Sequence, residues 1–177
     1  MEVIMRVAVK KLALMAVLTA AALIVFIIEA QIPLPVSVPG VKLGLANVVT
    51  LFALFYKRKD EGGAHVFTIP DALMILLCRV ALGAAFSGSA LAFIYSITGG
   101  LAGFAAQAAL KMFVTERQIW VCGVAGAVFH NLGQILAAVL ITGTPYIAAL
   151  LPILTTAGIL TGIITGLAAQ FAVTRLK

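Results

Sequence analysis

Long apolar stretches alternate with short polar breaks along this chain, at intervals that suit helices crossing a membrane. Six apolar segments stand out, near residues 11–28, 43–56, 69–86, 91–113, 119–141 and 146–173. A spanning helix needs about 20 predominantly apolar residues, and all but the second come close. The short second segment has three readings: it crosses with little tilt, begins earlier at Gly40, or enters only part of the bilayer. The pattern predicts an all-α membrane protein, one domain over residues 1–177, folded as a six-transmembrane-helix bundle.

One position breaks the pattern sharply. Arg79 lies within the third segment, where nearly every neighbour is Leu, Ile, Val, Ala, Met or Gly. It is seven residues, or roughly 10 Å, from the nearer end of that run. Placing an arginine in hydrocarbon costs at least about 2.5–3.5 kcal/mol on insertion scales. Something must compensate. Two readings stand: Arg79 caps backbone carbonyls or snorkels to the surface, or it is a ligand-binding charge inside the bundle.

The remaining basic residues set the orientation. With the N-terminus inside, Arg6, Lys10, Lys11, Lys57, Arg58, Lys59, Lys111, Arg117, Arg175 and Lys177 all fall on the cytoplasmic side, and only Lys42 falls outside. This positive-inside bias predicts an even number of crossings with both termini cytoplasmic. Composition agrees with the segment pattern. Hydrophobic residues make up 63% of the chain and charged residues 10%, against about 25% charged in a soluble domain. The net charge of +6 would suggest nucleic acid in a soluble protein; here it follows from the topology, and no nucleic acid is expected. The first apolar run is longer than a signal peptide's and its Glu29-bearing exit is a poor cleavage site, so the run is expected to stay as a helix. Cys78 and Cys122 sit in apolar segments without metal-ligand spacing and read as inert.

Local signals refine the elements. Ala13, Ala16 and Ala20 place small residues along one side of the first segment, suited to close approach by another helix, within the bundle or in a partner. Residues 31–42 contain three prolines and cannot be helical throughout. They read as an extended crossing that ends in a Pro39-Gly40 turn, either covering an outward-facing cavity or simply connecting. Thr68-Ile-Pro-Asp71 reads as a helix start, with Thr68 as N-cap, Pro70 in the first turn and Asp71 at the positive helix end. Ser96, Gly99, Gly100, Gly103 and Gln107 recur at helical spacing in the fourth segment. Gly123, Gly126, His130, Gly133 and Gln134 do so in the fifth, and Gly158, Gly162 and Gly166 in the sixth. These are the stripes of tightly packed membrane helices.

The intramembrane polar residues agree in depth. Arg79, His130, Asn131 and Gln134 fall about seven to eleven residues from the outer ends of their segments. Tyr95 and Ser96 lie a few residues into the fourth from outside, and Asn47 and Lys42 near the outer entry of the second. Together they are expected to line an outward-opening pocket of positive or donor-rich character. The motifs of catalysis are missing. The chain has no Gly-x-x-x-x-Gly-Lys-[Ser/Thr] loop, no paired aspartates to hold magnesium on a diphosphate, no Cys/His metal cluster and no Ser-His-acid set at matching depth. A binder is expected, with no cofactor.

Several blocks then carry a family resemblance. Pro39-Gly-Val-Lys-Leu-Gly-Leu-Ala-Asn47-Val-Val-Thr-Leu51, Arg79-Val-Ala-Leu-Gly83, Tyr95-Ser-Ile-Thr-Gly-Gly-Leu101, Gly126-Ala-Val-Phe-His-Asn-Leu-Gly-Gln-Ile-Leu136 and Leu151-Pro-Ile-Leu154 resemble, in order, the Gx transporter family, often labelled heptaprenyl diphosphate synthase component I. That family is similar to the S components of energy-coupling factor (ECF) transporters, six-helix proteins that capture a vitamin or precursor outside the cell. The resemblance implies a small vitamin-like or quinone/isoprenoid-related cargo, contacted by Arg79, Asn47, His130, Asn131 and Gln134, with Lys42, Tyr95 and Ser96 nearby. It also implies a transmembrane coupling protein, docked on Ala16 and Ala20, and two cytoplasmic ATPases. The alternative is a non-catalytic membrane subunit of a prenyl (heptaprenyl) diphosphate synthase.

Overall fold

The structure, a computed structural model, describes residues 2–32, 42–57 and 65–176, with side chains from residue 9 onward in the first helix. The proline-rich stretch 33–41 and the charged stretch 58–64 lie outside the described residues. The described residues form six α-helices: α1 (Glu2–Glu29), α2 (Asn47–Phe55), α3 (Ile69–Ser87), α4 (Ala90–Leu110), α5 (Ile119–Thr142) and α6 (Leu151–Arg175). All except α2 are long and apolar enough to cross a membrane. Their outward faces carry large apolar side chains such as Ile24, Phe86, Leu140, Ile164 and Phe171, all exposed. Water would penalise so continuous an apolar surface, and acyl chains would not. The protein is a multi-pass membrane protein.

The second segment shows why its length was ambiguous. At nine residues, α2 spans about 13 Å, less than half of a hydrocarbon core of about 30 Å. The helical part alone is too short to cross. Lys42, Leu43 and Gly44 approach it without helical structure, and Gly44 adopts φ +80°, a conformation costly for any residue with a Cβ. A Cβ there would also lie 2.8 Å from the His130 ring. What the helix lacks in length it makes up in burial. Seven of its nine residues are buried, as expected of a helix apolar on all sides at the centre of a bundle. Leu51, Leu54 and Phe55 pack there with Phe67, Ile75, Leu76, Ile119 and Val173.

The flanking helices close on one another through glycine. Lipid tails are as apolar as leucine, so helices in a membrane associate through close packing and polar contacts. Between α5 and α6, a Cβ on Gly123 would meet the Gly162 carbonyl at 2.5 Å and Gly166 Cα at 2.6 Å. Between α4 and α5, a Cβ on Gly133 would meet the Thr98 carbonyl at 2.7 Å. The stripes therefore set backbone-to-backbone contact, as their spacing predicts.

Helix ends follow local chemistry. Thr68 caps α3 in a full capping box with Asp71, and Asp71 also pairs with Lys11 of α1 at 2.6 Å. The α6 helix starts at Leu151, five residues after the apolar run begins, because Pro145–Leu150 winds as 3-10 turns. Pro152 then occupies the first turn of α6, where its missing N–H costs nothing. At the same end as Lys11 and Asp71 lie several further contacts. Tyr56 donates to the Leu176 carbonyl, Lys57 pairs with Glu116 at 3.2 Å, and Lys57 forms an isolated bridge with His65. The described basic side chains thus collect at one end of the bundle, with Lys42 and Arg79 apart from them.

Ala13, Ala16 and Ala20 on α1 are all exposed, facing away from the other described helices. The α1 helix meets α3 through its other side, where Ala22 and Phe26 are buried.

Candidate functional site

Asn47 opens α2, Arg79 lies midway along α3, and His130 and Gln134 stand one turn apart on α5. The fold brings all four together. Arg79 Nη2 donates to Asn47 Oδ1 at 3.4 Å, and Asn47 Nδ2 lies 3.2 Å from His130 Nδ1. His130 Nε2 lies 2.7 Å from Gln134 Nε2, and Gln134 Oε1 accepts from the Lys42 backbone N–H at 3.0 Å. One hydrogen-bonded row thus runs from Lys42 to Arg79 through three helices. Glycines make room for it. A Cβ on Gly99 would lie 2.8 Å from Gln134 Cγ, and one on Gly103 would lie 3.3 Å from His130 Cβ and 3.5 Å from Asn47 Nδ2.

Burial is nearly complete. Arg79 is 2% exposed and Gln134 0%, and Lys42 is only half-buried beside them. Expected to line an open pocket, Asn47, Arg79, His130 and Gln134 are instead buried.

Two residues absent from the sequence-level site complete the electrostatics. Glu29, at the end of α1, is buried; its carboxylate accepts from the Gly44 N–H at 2.5 Å and feels both Lys42 and Arg79. Phe26, one turn before it, presents its ring to both cations. Lys42 Nζ sits 3.2 Å from the ring centroid and Arg79 Cζ 5.8 Å. That ring fits because α3 has Gly83 opposite, where a Cβ would come within 2.7 Å of it. The buried cost of Arg79 is therefore offset by an acid, an amide oxygen and a π-face. An acidic residue at the C-terminal end of the first apolar run was the signal that could have found Glu29. Outside its helices, Lys42 is pushed down to about 8 by burial, against the pull of Glu29 and with the push of Arg79.

The row contains a mismatch. Gln134 Oε1 is fixed by the Lys42 N–H and Asn47 Oδ1 by Arg79, so both amide NH2 groups face the imidazole. A neutral imidazole offers one acceptor nitrogen and one N–H. Whichever nitrogen carries the proton, one amide N–H2 meets another donor; turning either amide over only moves the conflict to Lys42 or Arg79. Arg79 Nε, in addition, is buried with no hydrogen-bond partner among the described residues. The Gly99 carbonyl also serves the imidazole, and the cluster remains rich in donors.

The other sequence-predicted residues go elsewhere. Asn131 points to the opposite side of α5, donating to the Leu154 carbonyl at 2.6 Å, against Gly158 of α6. Tyr95 packs in an apolar cluster with Ile135, Ala138 and Leu154. Ser96 is buried on the glycine face of α4 and is not among the groups of the row. Among the described residues, no three His, Cys, Asp or Glu side chains gather as a metal site would require.

Fold and site together define a helical membrane protein with a buried, net cationic polar core. Residues 18–172 match the family model described as heptaprenyl diphosphate synthase component I, and the chain belongs to that family. No curated protein and no solved structure matches the chain.

Proposed function

We propose that the protein is the substrate-capturing subunit of an ECF-type transporter, binding a small anionic molecule, vitamin-like or quinone/isoprenoid-related, at the Arg79 cluster. The carrying observation is Arg79 Nε, buried without a hydrogen-bond partner among the described residues beside the donor-rich Asn47–His130–Gln134 row. A carboxylate or phosphate oxygen would accept from both, with charge-assisted bonds about twice as strong as neutral ones. Lys42, half-buried at the edge of the cluster, would add a second cation. In this reading the core opens toward the outside, the protein resides in the plasma membrane with both termini cytoplasmic, and it performs no catalysis of its own.

The outward-facing Ala16 and Ala20 favour a docked transmembrane coupling protein, which two cytoplasmic ATPases would drive. The family description favours a second reading, a non-catalytic membrane subunit that assembles with a soluble prenyltransferase as a heptaprenyl diphosphate synthase. Affinity purification from native membrane separates the two. Recovery of ATPases, lost when Ala16 and Ala20 are both replaced by Leu, supports transport; recovery of a soluble prenyltransferase supports the synthase.

Ligand capture is tested with a panel of carboxylates in a thermal-shift assay, where a ligand at 100 times its Kd adds about 2.7 kcal/mol of stability. The response should vanish in Arg79→Gln. The double variant Glu29→Gln/Arg79→Gln, which leaves no buried acid unpaired with that arginine, serves as the folded control. Normal binding by either variant would remove Arg79 from the site.

A further inference from the structure

At the end of the bundle that gathers the basic residues, a cavity of about 580 Å3 opens between the C-terminus of α2 and the α4–α5 connection. It lies eight residues along α2 from Asn47, about 12 Å, and shares no residue with the Arg79 row. Lys57, His65, Lys111 and Arg117 line it, with Glu116 and Thr115. Lys57 pairs with Glu116. Among the described residues, no carboxylate pairs with Lys111 or Arg117. Lys111 is half-buried, its ammonium 6.0 Å from the Phe55 ring centroid. Burial, then the neighbouring Lys57, holds Lys111 below the usual lysine range; burial, then Lys111 and Lys57, likewise lowers His65. The hollow is concave and walled by apolar Phe55 and Val114, and among the described residues that line it Glu116 is the one acid against Lys57, Lys111 and Arg117.

Its surroundings set its depth. Directly after Lys111, Met112 and Phe113 are 82% and 81% exposed, and Trp120 in the first turn of α5 is also exposed. Exposed aromatic and apolar side chains beside lysines mark the level where headgroups meet acyl chains. A phosphate there would find cations in the hollow while an attached chain lay against Met112 and Phe113.

We propose that this cavity binds a terminal phosphate group, most naturally the phosphomonoester headgroup of an amphiphile in the adjoining leaflet, with Lys111 and Arg117 as its principal partners. Arginine and lysine supply charge-assisted donors to phosphate oxygens, and the Lys57–Glu116 pair steadies the wall. The same chemistry would accept a free diphosphate from solution, and the test separates the two sources.

The purified protein is placed in phosphatidylcholine nanodiscs and its thermal midpoint followed with added inorganic diphosphate, and again in nanodiscs carrying phosphatidate or, at matched content, phosphatidylglycerol. Stabilisation by phosphatidate above phosphatidylglycerol assigns the lipid source, stabilisation by diphosphate the soluble one, and both together the shared chemistry. In Lys111→Gln/Arg117→Gln the apparent affinity should fall at least about tenfold. Absence of any response, a response undiminished in the double variant, or equal stabilisation by phosphatidylglycerol and phosphatidate without a diphosphate effect overturns the proposal. The last outcome would leave only a surface potential. Helicity by circular dichroism checks that the double variant is folded; if it is not, Lys111→Arg/Arg117→Lys, which keeps both charges, should retain binding, and loss there would also overturn it.

Discussion

Asn47 Nδ2 faces His130 Nδ1 across 3.2 Å, joining the short central helix to α5 while the other side of the same amide accepts from Arg79. This contact places two donor-bearing groups against each other whenever His130 is protonated on Nδ1. Asn47→Asp would supply an acceptor to each neighbour at nearly the same volume. The variant should raise the thermal midpoint of the unliganded protein, by about 2–4 °C for each kcal/mol gained. Its added negative charge should weaken anion binding by at least about tenfold, equivalent to 1.4 kcal/mol. Thermal unfolding with and without ligand reads both effects; a midpoint well below the parent's would show that the row is not short of an acceptor.

Glu29 and Arg79 are expected to couple energetically. Removing one member of a buried charge set costs about 3–5 kcal/mol, because the other is left without its countercharge. Glu29→Gln and Arg79→Gln should each destabilise strongly, and the double variant should lose less than their sum, by about 0.5–3 kcal/mol. Chemical denaturation in detergent micelles measures the cycle. Strict additivity would mean that Arg79 is balanced by the Asn47 oxygen and the Phe26 ring without the acid.

Lys42 gives the site a pH dependence. Its folded-state value is lowered to about 8, so the ammonium is present below that pH and lost as pH rises through it. Anion affinity should therefore fall between about pH 7 and 9. Lys42→Arg, which stays charged throughout that range, should flatten the profile over the same interval. Titrations of ligand at a series of pH values decide it, and a profile unchanged by Lys42→Arg would exclude this lysine.

The glycine stripes predict unequal costs for the same substitution. At Gly123 an added methyl would press on backbone atoms of Gly162 and Gly166 at 2.5 and 2.6 Å, and backbone cannot step aside cheaply. Gly123→Ala should cost about 1–3 kcal/mol, the usual range for overpacking. At Gly100 the nearest atom is Leu76 Cδ1 at 3.1 Å, the end of a flexible side chain. Gly100→Ala should be close to neutral, helped by the better helix propensity of alanine. Comparing the two by thermal unfolding checks the argument.

Runs of apolar residues were enough to place five of the six helices, because the length needed to cross a bilayer is a local property of the chain. Cap chemistry at Thr68 and Asp71 was equally local and set the start of α3. The depth of Arg79, His130 and Gln134 also followed from counting residues, and the fold does bring those three together. Neighbours in sequence were harder to sort. His130 and Asn131 are about 100° apart on a helix with 3.6 residues per turn, so one faces the polar row and the other the Leu154 carbonyl of α6; which is which depends on how α5 is rotated against α4 and α6. The contribution of Glu29 was likewise hidden, since only the packing of α1 beside α3 brings its carboxylate near Arg79. The same packing turned Ala13, Ala16 and Ala20 outward. Composition and periodicity thus determined that the chain is a membrane helical bundle with a charge at its heart. Only tertiary packing decided what surrounds that charge, because helix rotation and the path of a non-helical turn at Gly44 depend on contacts between segments distant in the chain.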